Sequence, residues 1–280
     1  MRRTGFPEGA GPIGIFDSGY GGLTILDRIR KNLPQYDYLY FGDNARTPYG
    51  TRSFEVVYEF TSQCVEKLFE RGCHLVILAC NTASAKALKT IQVNDLPRLD
   101  VNRRVLGIIR PTVESIGSLT KSRHVGILAT PGTIKSMSYP MEIRKLFPDI
   151  TVTGEACPIW VPLVETGEYD SEGADYFIEK HVRNLIAKDP AMDTVILGCT
   201  HYPLMLEKIR KYVSDDIRLV CQGDYVASSL QNYLQRHPEI DVKCTKGGGC
   251  RYLTTESTER FLPSASLFLK EKIKAETVAV

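Results

Sequence analysis

Cys80 and Cys199 stand in near-identical settings, Leu75-Val76-Ile77-Leu78-Ala79-Cys80-Asn81-Thr82 and Thr194-Val195-Ile196-Leu197-Gly198-Cys199-Thr200-His201. Each thiol follows a short apolar, β-branched run of the kind that fills a strand buried on both faces. Each precedes small polar residues suited to opening a helix. A cysteine at a strand's carboxyl end beside a helix N-terminus has a lowered pKa, and the free backbone N–H groups there can hold an anion. These are conditions for thiolate chemistry on an acidic substrate, and their repetition points to two matched thiols. Helix capping with the cysteines as buried strand-end hydrophobes explains one such site easily, but not a second in equivalent context.

Other groups could serve these thiols. Asp17-Ser18-Gly19-Tyr20-Gly21-Gly22 is a glycine-rich turn after a strand, with Asp43 24 residues beyond Gly19. A dinucleotide fingerprint fails on detail, because its third glycine would fall at Thr24 and the Asp17 carboxylate would face the pyrophosphate. Asp17 at a strand tip in the same sheet as Cys80 is better placed to assist proton transfer to or from a thiol, the alternative being a cap for the helix that follows. His201 either joins Cys199 in chemistry or packs and caps locally. Glu165 reads as a solvated carboxylate in a proline-rich loop. A Cys-His hydrolase built on Cys199 and His201 is a further option, and it would be indifferent to Cys80. Asp43 and Arg46 read as an ion pair bracing the Tyr49-Gly50 loop.

The elements that would position these groups are themselves duplicated. Ile13 to Gly19 and Val125 to Gly132 are both strand-then-glycine-turn segments; Gly14 and Gly126 lie 112 residues apart, Cys80 and Cys199 119 apart. Periodicity predicts strands near 13–16, 37–41, 75–79 and 105–109, with helices near 22–31, 53–70, 82–91 and 111–119. The second half repeats the order, with strands near 124–128, 150–154, 194–198 and 217–221 and helices near 134–146, 171–187, 203–212 and 224–235. Alternation with short connections implies an α/β protein of two pseudo-symmetric, doubly wound parallel-sheet domains. Ligands bind such sheets beyond the strand carboxyl ends, so both cysteines are expected to face one active-site cleft between the halves. The duplication ends near Gln235; Tyr252 to Thr255 reads as an added strand, followed by a short terminal helix.

Composition agrees. A chain of 280 residues, 43% apolar, has room for one large or two ordinary cores. A formal net charge of +2 from 35 basic and 33 acidic residues, interspersed, leaves no stripe for nucleic acid. The arm Met1 to Glu8 is basic at its tip but continues into Gly and Pro where a signal peptide would need an apolar core, and no apolar run approaches the ~20 residues of a membrane span. A soluble cytoplasmic protein is expected, with most of its eight cysteines reduced. Cys64, Cys73, Cys157 and Cys221 read as packing. Cys244 and Cys250 flank a mobile glycine turn, with no CxxC pair or second ligand cluster to support zinc. No cofactor is expected: the lysine nearest the first cysteine motif, Lys86, lies a turn inside its helix, away from a Schiff-base position.

Five ordered segments then carry a resemblance over nearly the whole chain: Phe16 to Leu23, Tyr40 to Gly50, Ala79 to Ser84, Pro162 to Glu165 and Leu197 to Pro203. In these the chain resembles the glutamate racemases, within the aspartate/glutamate racemase superfamily. The resemblance implies cofactor-independent, two-base interconversion of L- and D-glutamate for peptidoglycan. Cys80 would be the base towards D-glutamate and Cys199 the base towards L-glutamate, with Asp17 serving Cys80, and Glu165 and His201 serving Cys199. It implies that Asp17, Ser18, Tyr49, Gly50, Asn81, Thr82, Thr200 and His201 hold the substrate, several through backbone N–H. It implies a homodimer, and a tail that crosses back, so that residues 1–109 and 222–280 form the first domain and 110–221 the second. Chemistry asks for the same pair of bases, since inversion removes the α-proton from one face and returns one on the other. Arg110, and Cys221-Gln222-Gly223-Asp224, depart from the family pattern where the halves join. An aspartate racemase type and a non-catalytic ligand-binding module are the rival readings.

Overall fold

The computed structural model describes residues 6–280; the tip of the N-terminal arm, residues 1–5, lies outside the described residues. Among the described residues, ten strands form two parallel sheets. The first sheet contains β1 (Ile13–Asp17), β2 (Tyr38–Gly42), β3 (Leu75–Leu78), β4 (Arg104–Gly107), β9 (Cys250–Thr254) and β10 (Ala275–Thr277) in the order β10-β9-β2-β1-β3-β4. The second contains β5 (His124–Ala129), β6 (Thr151–Ala156), β7 (Thr194–Gly198) and β8 (Arg218–Val220) in the order β6-β5-β7-β8. Counted within each half, four strands therefore run 2-1-3-4 twice, the pattern expected of a duplicated doubly wound unit.

Burial explains why these segments are strands. Every residue of β1, β2, β3 and β7 is buried, which a parallel strand covered by helices on both faces requires. The helix 22–32 between β1 and β2 turns Leu23, Ile25, Leu26 and Ile29 inward. Beyond β8 the chain returns to the first sheet. Its helix 223–236 packs on the helix 22–32, and β9 extends the sheet alongside β2 from Tyr38↔Cys250 to Gly42↔Thr254.

Several elements differ from expectation for identifiable reasons. The predicted helix 82–91 is a succession of short pieces, 81–86 and 88–90, then a wide π turn at 91–95 and a last turn at 96–99. Pro97 follows the wide turn and has no N–H to return to the carbonyl four residues back. The predicted helix 134–146 starts at Pro131, with Thr130 Oγ1 accepting the Thr133 N–H at 3.3 Å, and breaks where Met137 takes φ 56°. Glu165 lies at the end of a short helix, Trp160–Glu165, rather than in a loop. The glycine turn before β9 is tethered, because the Asp37 carboxylate accepts the Gly249 N–H at 2.8 Å. The edge strand β10 is polar and half exposed and gave no apolar signal.

Candidate active site

The order 2-1-3-4 places a crevice between the first and third strands of each half, beyond their carboxyl ends. In the first half those ends supply Asp17, the last residue of β1, and Cys80, two residues past β3. In the second they supply Thr130, directly after β5, and Cys199, directly after β7. All four are buried.

Around Cys80 the partners are a hydroxyl and a carboxyl. Ser18 Oγ lies 3.4 Å from Cys80 Sγ, which also accepts the Ala83 N–H at 3.4 Å. Asp17 Oδ2 accepts the Gly19 N–H at 2.9 Å, while Oδ1 is buried with no partner among the described residues. Burial raises the Asp17 pKa against the lowering effect of His201. Burial, then the nearby Asp17, push the Cys80 thiol up to about 12 in spite of Ser18 and the Ala83 N–H. The thiol-acidifying helix terminus expected from sequence is thus outweighed: the helix after Cys80 has 6 residues, and the thiol is buried and faces a second acid.

Around Cys199 the partner is basic. No long helix follows this cysteine; a 3₁₀ turn at 202–205 leads into a six-residue helix at 206–211. His201 Nδ1 faces Cys199 Sγ at 3.8 Å, and His201 Nε2 donates to Glu165 Oε1 at 3.0 Å. Burial alone would lower the His201 pKa, but the Cys199 sulfur and the Glu165 carboxylate reverse this and hold it well above its ordinary value. The imidazolium therefore sits between a sulfur and a carboxylate, able to give a proton to either side. Thr47 Oγ1, from the first half, reaches the same Glu165 oxygen at 3.4 Å.

Both cysteines line one pocket. Its wall includes Ser18, Tyr49, Gly50, Asn81, Thr82, Thr200 and His201, so most of the expected substrate-holding residues are brought together. Asp17 and Glu165 stand behind that wall, Asp17 as the chain neighbour of Ser18 and Glu165 through its bond to His201.

A family description, Asp/Glu/Hydantoin racemase, matches residues 23–229. The chain belongs to this racemase family. It is 40% identical over 274 residues to a protein named glutamate racemase from Ruegeria sp. (strain TM1040), covering 94% of this chain and 98% of that one. A solved glutamate racemase isoform from Bacillus anthracis has 32% identity and a TM-score of 0.87, covering 96% of this chain and 98% of the other. A glutamate racemase from Francisella tularensis, solved in complex with D-glutamate, has 31% identity and a TM-score of 0.85 over 96% of this chain and 98% of that one.

With the family in hand, individual side chains gain definition. Tyr49 gives its hydroxyl to Asp43 Oδ2, which also takes Arg46 Nε at 2.7 Å, so Tyr49 offers the pocket its ring and backbone. Gly50 accepts the Gly132 N–H at 2.7 Å, joining the first half's loop to the second half, and an added Cβ there would meet Thr130 at 2.8 Å. Gly21 is held to glycine for a similar reason, since a Cβ would come within 2.4 Å of both His201 Nδ1 and Thr200 Oγ1. Thr130 also lines the pocket, bonded to Thr82 Oγ1 at 3.0 Å, and the sequence reading passed it over. The signal was present: Thr130 lies 112 residues after Ser18, the same offset that relates Gly14 to Gly126. Lys86 Nζ is bound to the Arg52 carbonyl at 2.5 Å and is absent from the pocket wall.

Proposed function

We propose that the protein interconverts L- and D-glutamate with Cys80 and Cys199 as its two bases and no bound cofactor. The observation that carries the reading is the presence of two thiols, one from the end of each sheet, on the wall of one pocket. A stereochemical inversion needs two proton-carrying groups on opposite sides of the α-carbon, one thiolate and one thiol at the moment of attack. In the L-to-D direction the Cys199 thiolate takes the α-proton and the Cys80 thiol returns one from the other side. The turnover leaves a Cys199 thiol and a Cys80 thiolate, and the reverse direction starts from that state.

The flanking groups fit these roles. Protonated His201 steadies negative charge on Cys199, and Glu165 holds the imidazole in place. Asp17 and Ser18 set the proton on Cys80. The side chains of Ser18, Asn81, Thr82 and Thr200 offer hydrogen bonds to the substrate carboxylates and to the charge that develops at the α-carbon, in a cleft partly closed to water. In this reading residues 1–109 with 222–280, and 110–221, are the two units that close on the substrate, the enzyme is a cytoplasmic homodimer, and its product enters peptidoglycan.

The test is L-glutamate with pure enzyme in D₂O after dialysis against EDTA and hydroxylamine. Loss of circular dichroism with deuterium entering the α-position supports the reading; activity that returns only with added pyridoxal phosphate or zinc overturns it. Racemisation of aspartate but not glutamate would select the related substrate class. The Cys199-His201-Glu165 alignment also suits a thiol hydrolase, which would form an acyl-enzyme and survive loss of Cys80.

A further inference from the structure

Asn81 enters the pocket wall with its side-chain amide already committed on the far side. Its Nδ2 donates to Gln222 Oε1 at 2.6 Å, Gln222 Nε2 donates to the Tyr139 hydroxyl at 2.8 Å, and that hydroxyl donates to Asn81 Oδ1 at 2.7 Å. The three bonds close a ring running in one direction, buried throughout, with Asn81 and Gln222 each 2% exposed and Tyr139 1%. The ring has a fixed sense. Gln222 Nε2 also reaches the Ile108 carbonyl at 3.3 Å and Thr112 Oγ1 at 3.0 Å, and Thr112 itself donates to Ile108. A backbone carbonyl can only accept, so the Gln222 nitrogen must lie on that side and its oxygen must face Asn81. Asn81 then has to present its nitrogen to Gln222 and its oxygen to Tyr139, which leaves one Nδ2 hydrogen free.

The placement of these groups adds to the argument. Ile108 and Thr112 lie where the chain first leaves the first sheet, between β4 and β5. Gln222 lies where it returns, after β8 and one residue before the helix 223–236. Gln222 therefore ties both crossings between the halves to one side chain adjacent to Cys80.

We propose that Gln222 is a positioning residue which, through the Tyr139 ring and the Ile108 carbonyl, fixes the Asn81 amide with an N–H available to the substrate carboxylate. The proposal rests on the amino-acid racemase reading given above. An unrestrained Asn81 amide could turn its oxygen towards that carboxylate, and fixing it costs ordering on binding. An ordered one binds without that loss.

The experiment is a double-mutant cycle on Gln222→Met and Asn81→Ala, with kcat and KM measured for the acidic amino acid that the wild type racemises. Gln222→Met keeps the side chain's length and removes its hydrogen bonds. We expect it to raise KM about tenfold, the size of one hydrogen bond to a charged group, with kcat changed far less. In the Asn81→Ala background the same substitution should change KM less than about twofold, because the group it acts through is gone. Gln222→Glu should fail like Gln222→Met despite its shape, since an acceptor would then face the Ile108 carbonyl. Tyr139→Phe, which keeps the packing, serves as the second probe should Gln222→Met fold poorly, and its KM rise should likewise vanish in Asn81→Ala. Additive effects in the cycle, or an unchanged KM in Gln222→Met, would overturn the proposal. Activity on aspartate alone would break the glutamate assignment, while the cycle run on aspartate still decides the role of Gln222.

Discussion

The two thiols occupy equivalent places in a duplicated framework, yet their partners are exchanged. Where the first half has Asp17 at the tip of its first strand, the second has Ala129 at the tip of β5; where the second has His201 two residues after its cysteine, the first has Thr82. A carboxyl beside Cys80 and an imidazole beside Cys199 push in opposite directions on a neighbouring negative charge. The two surroundings are therefore unequal: burial and Asp17 raise the Cys80 thiol, whereas Cys199 and Glu165 raise the imidazole that faces Cys199. A symmetric backbone with asymmetric proton donors gives the two thiols different surroundings, which is what the proposed attack on one face and delivery to the other would use.

The strongest way to break this comparison is to remove each thiol. Cys80→Ala and Cys199→Ala should each lower racemisation in both directions by at least about 10⁴-fold, while retaining one-way proton abstraction from a substrate with a leaving group on the β-carbon. Near-normal racemisation by either variant, followed by circular dichroism, would refute the paired roles.

Removing the exchanged partners sharpens it. His201→Asn and Asp17→Asn should each cost about 10²–10⁴-fold, the range for a positioned acid or base. The equilibrium constant between enantiomers is one, so kcat/KM must remain equal in the two directions for every variant. The asymmetry should instead appear in the separate kcat values and in the α-deuterium isotope effects, with the His201 and Asp17 variants deviating in opposite senses. Equal isotope effects in both directions for both variants would favour simple capping roles.

Chemical labelling gives a smaller contrast. Iodoacetamide near neutral pH should alkylate Cys80 about tenfold more slowly than Cys199, because burial and Asp17 hold the Cys80 thiol in its unreactive protonated form. Peptide mapping reads the order, glutamate should slow both, and preferential labelling of Cys80 would invert the comparison.

The smallest effect lies in stability against pH. The Cys80 pKa is raised to about 12 in the folded chain, so between the usual thiol value of 9.0 and that point the unfolded chain has released a proton that the folded chain keeps. Stability contributed there is present below the usual value and lost as pH rises. His201, also raised, has the same sign, its contribution being complete below 6.5 and lost as pH climbs through its folded value. Cys80→Ser should flatten the loss between pH 9 and 10 by about 1 kcal/mol, measured by urea unfolding at each pH. A steeper loss than wild type would contradict the direction given for Cys80.

Much of this was legible in the chain, and the misses share a cause. The strands Ile13–Asp17 and Thr194–Gly198 were marked by unbroken apolar runs, and the cysteines by the repeated phrase around them. Those are local signals. The ring joining Asn81 to Gln222 spans 141 residues, and only the fold brings its members together. The state of the Cys80 thiol was misjudged because adjacency to a helix start is local, whereas burial and the approach of Asp17 from another strand are not. Glu165 was recognised only through resemblance, because its own neighbourhood holds nothing that announces a contact with His201.

The two sheets also differ in when they can be completed. The sheet bearing Cys199 is built wholly from residues 124–220, whereas the sheet bearing Asp17 and Cys80 takes the two strands on one side of β2 from residues 250–277. During synthesis the ribosome therefore releases a finished second sheet while β2, among the earliest segments made, still presents an unpaired edge. A nascent chain stopped before residue 250 would carry both cysteines and an open β2 edge, exposed to pairing with another chain until β9 emerges.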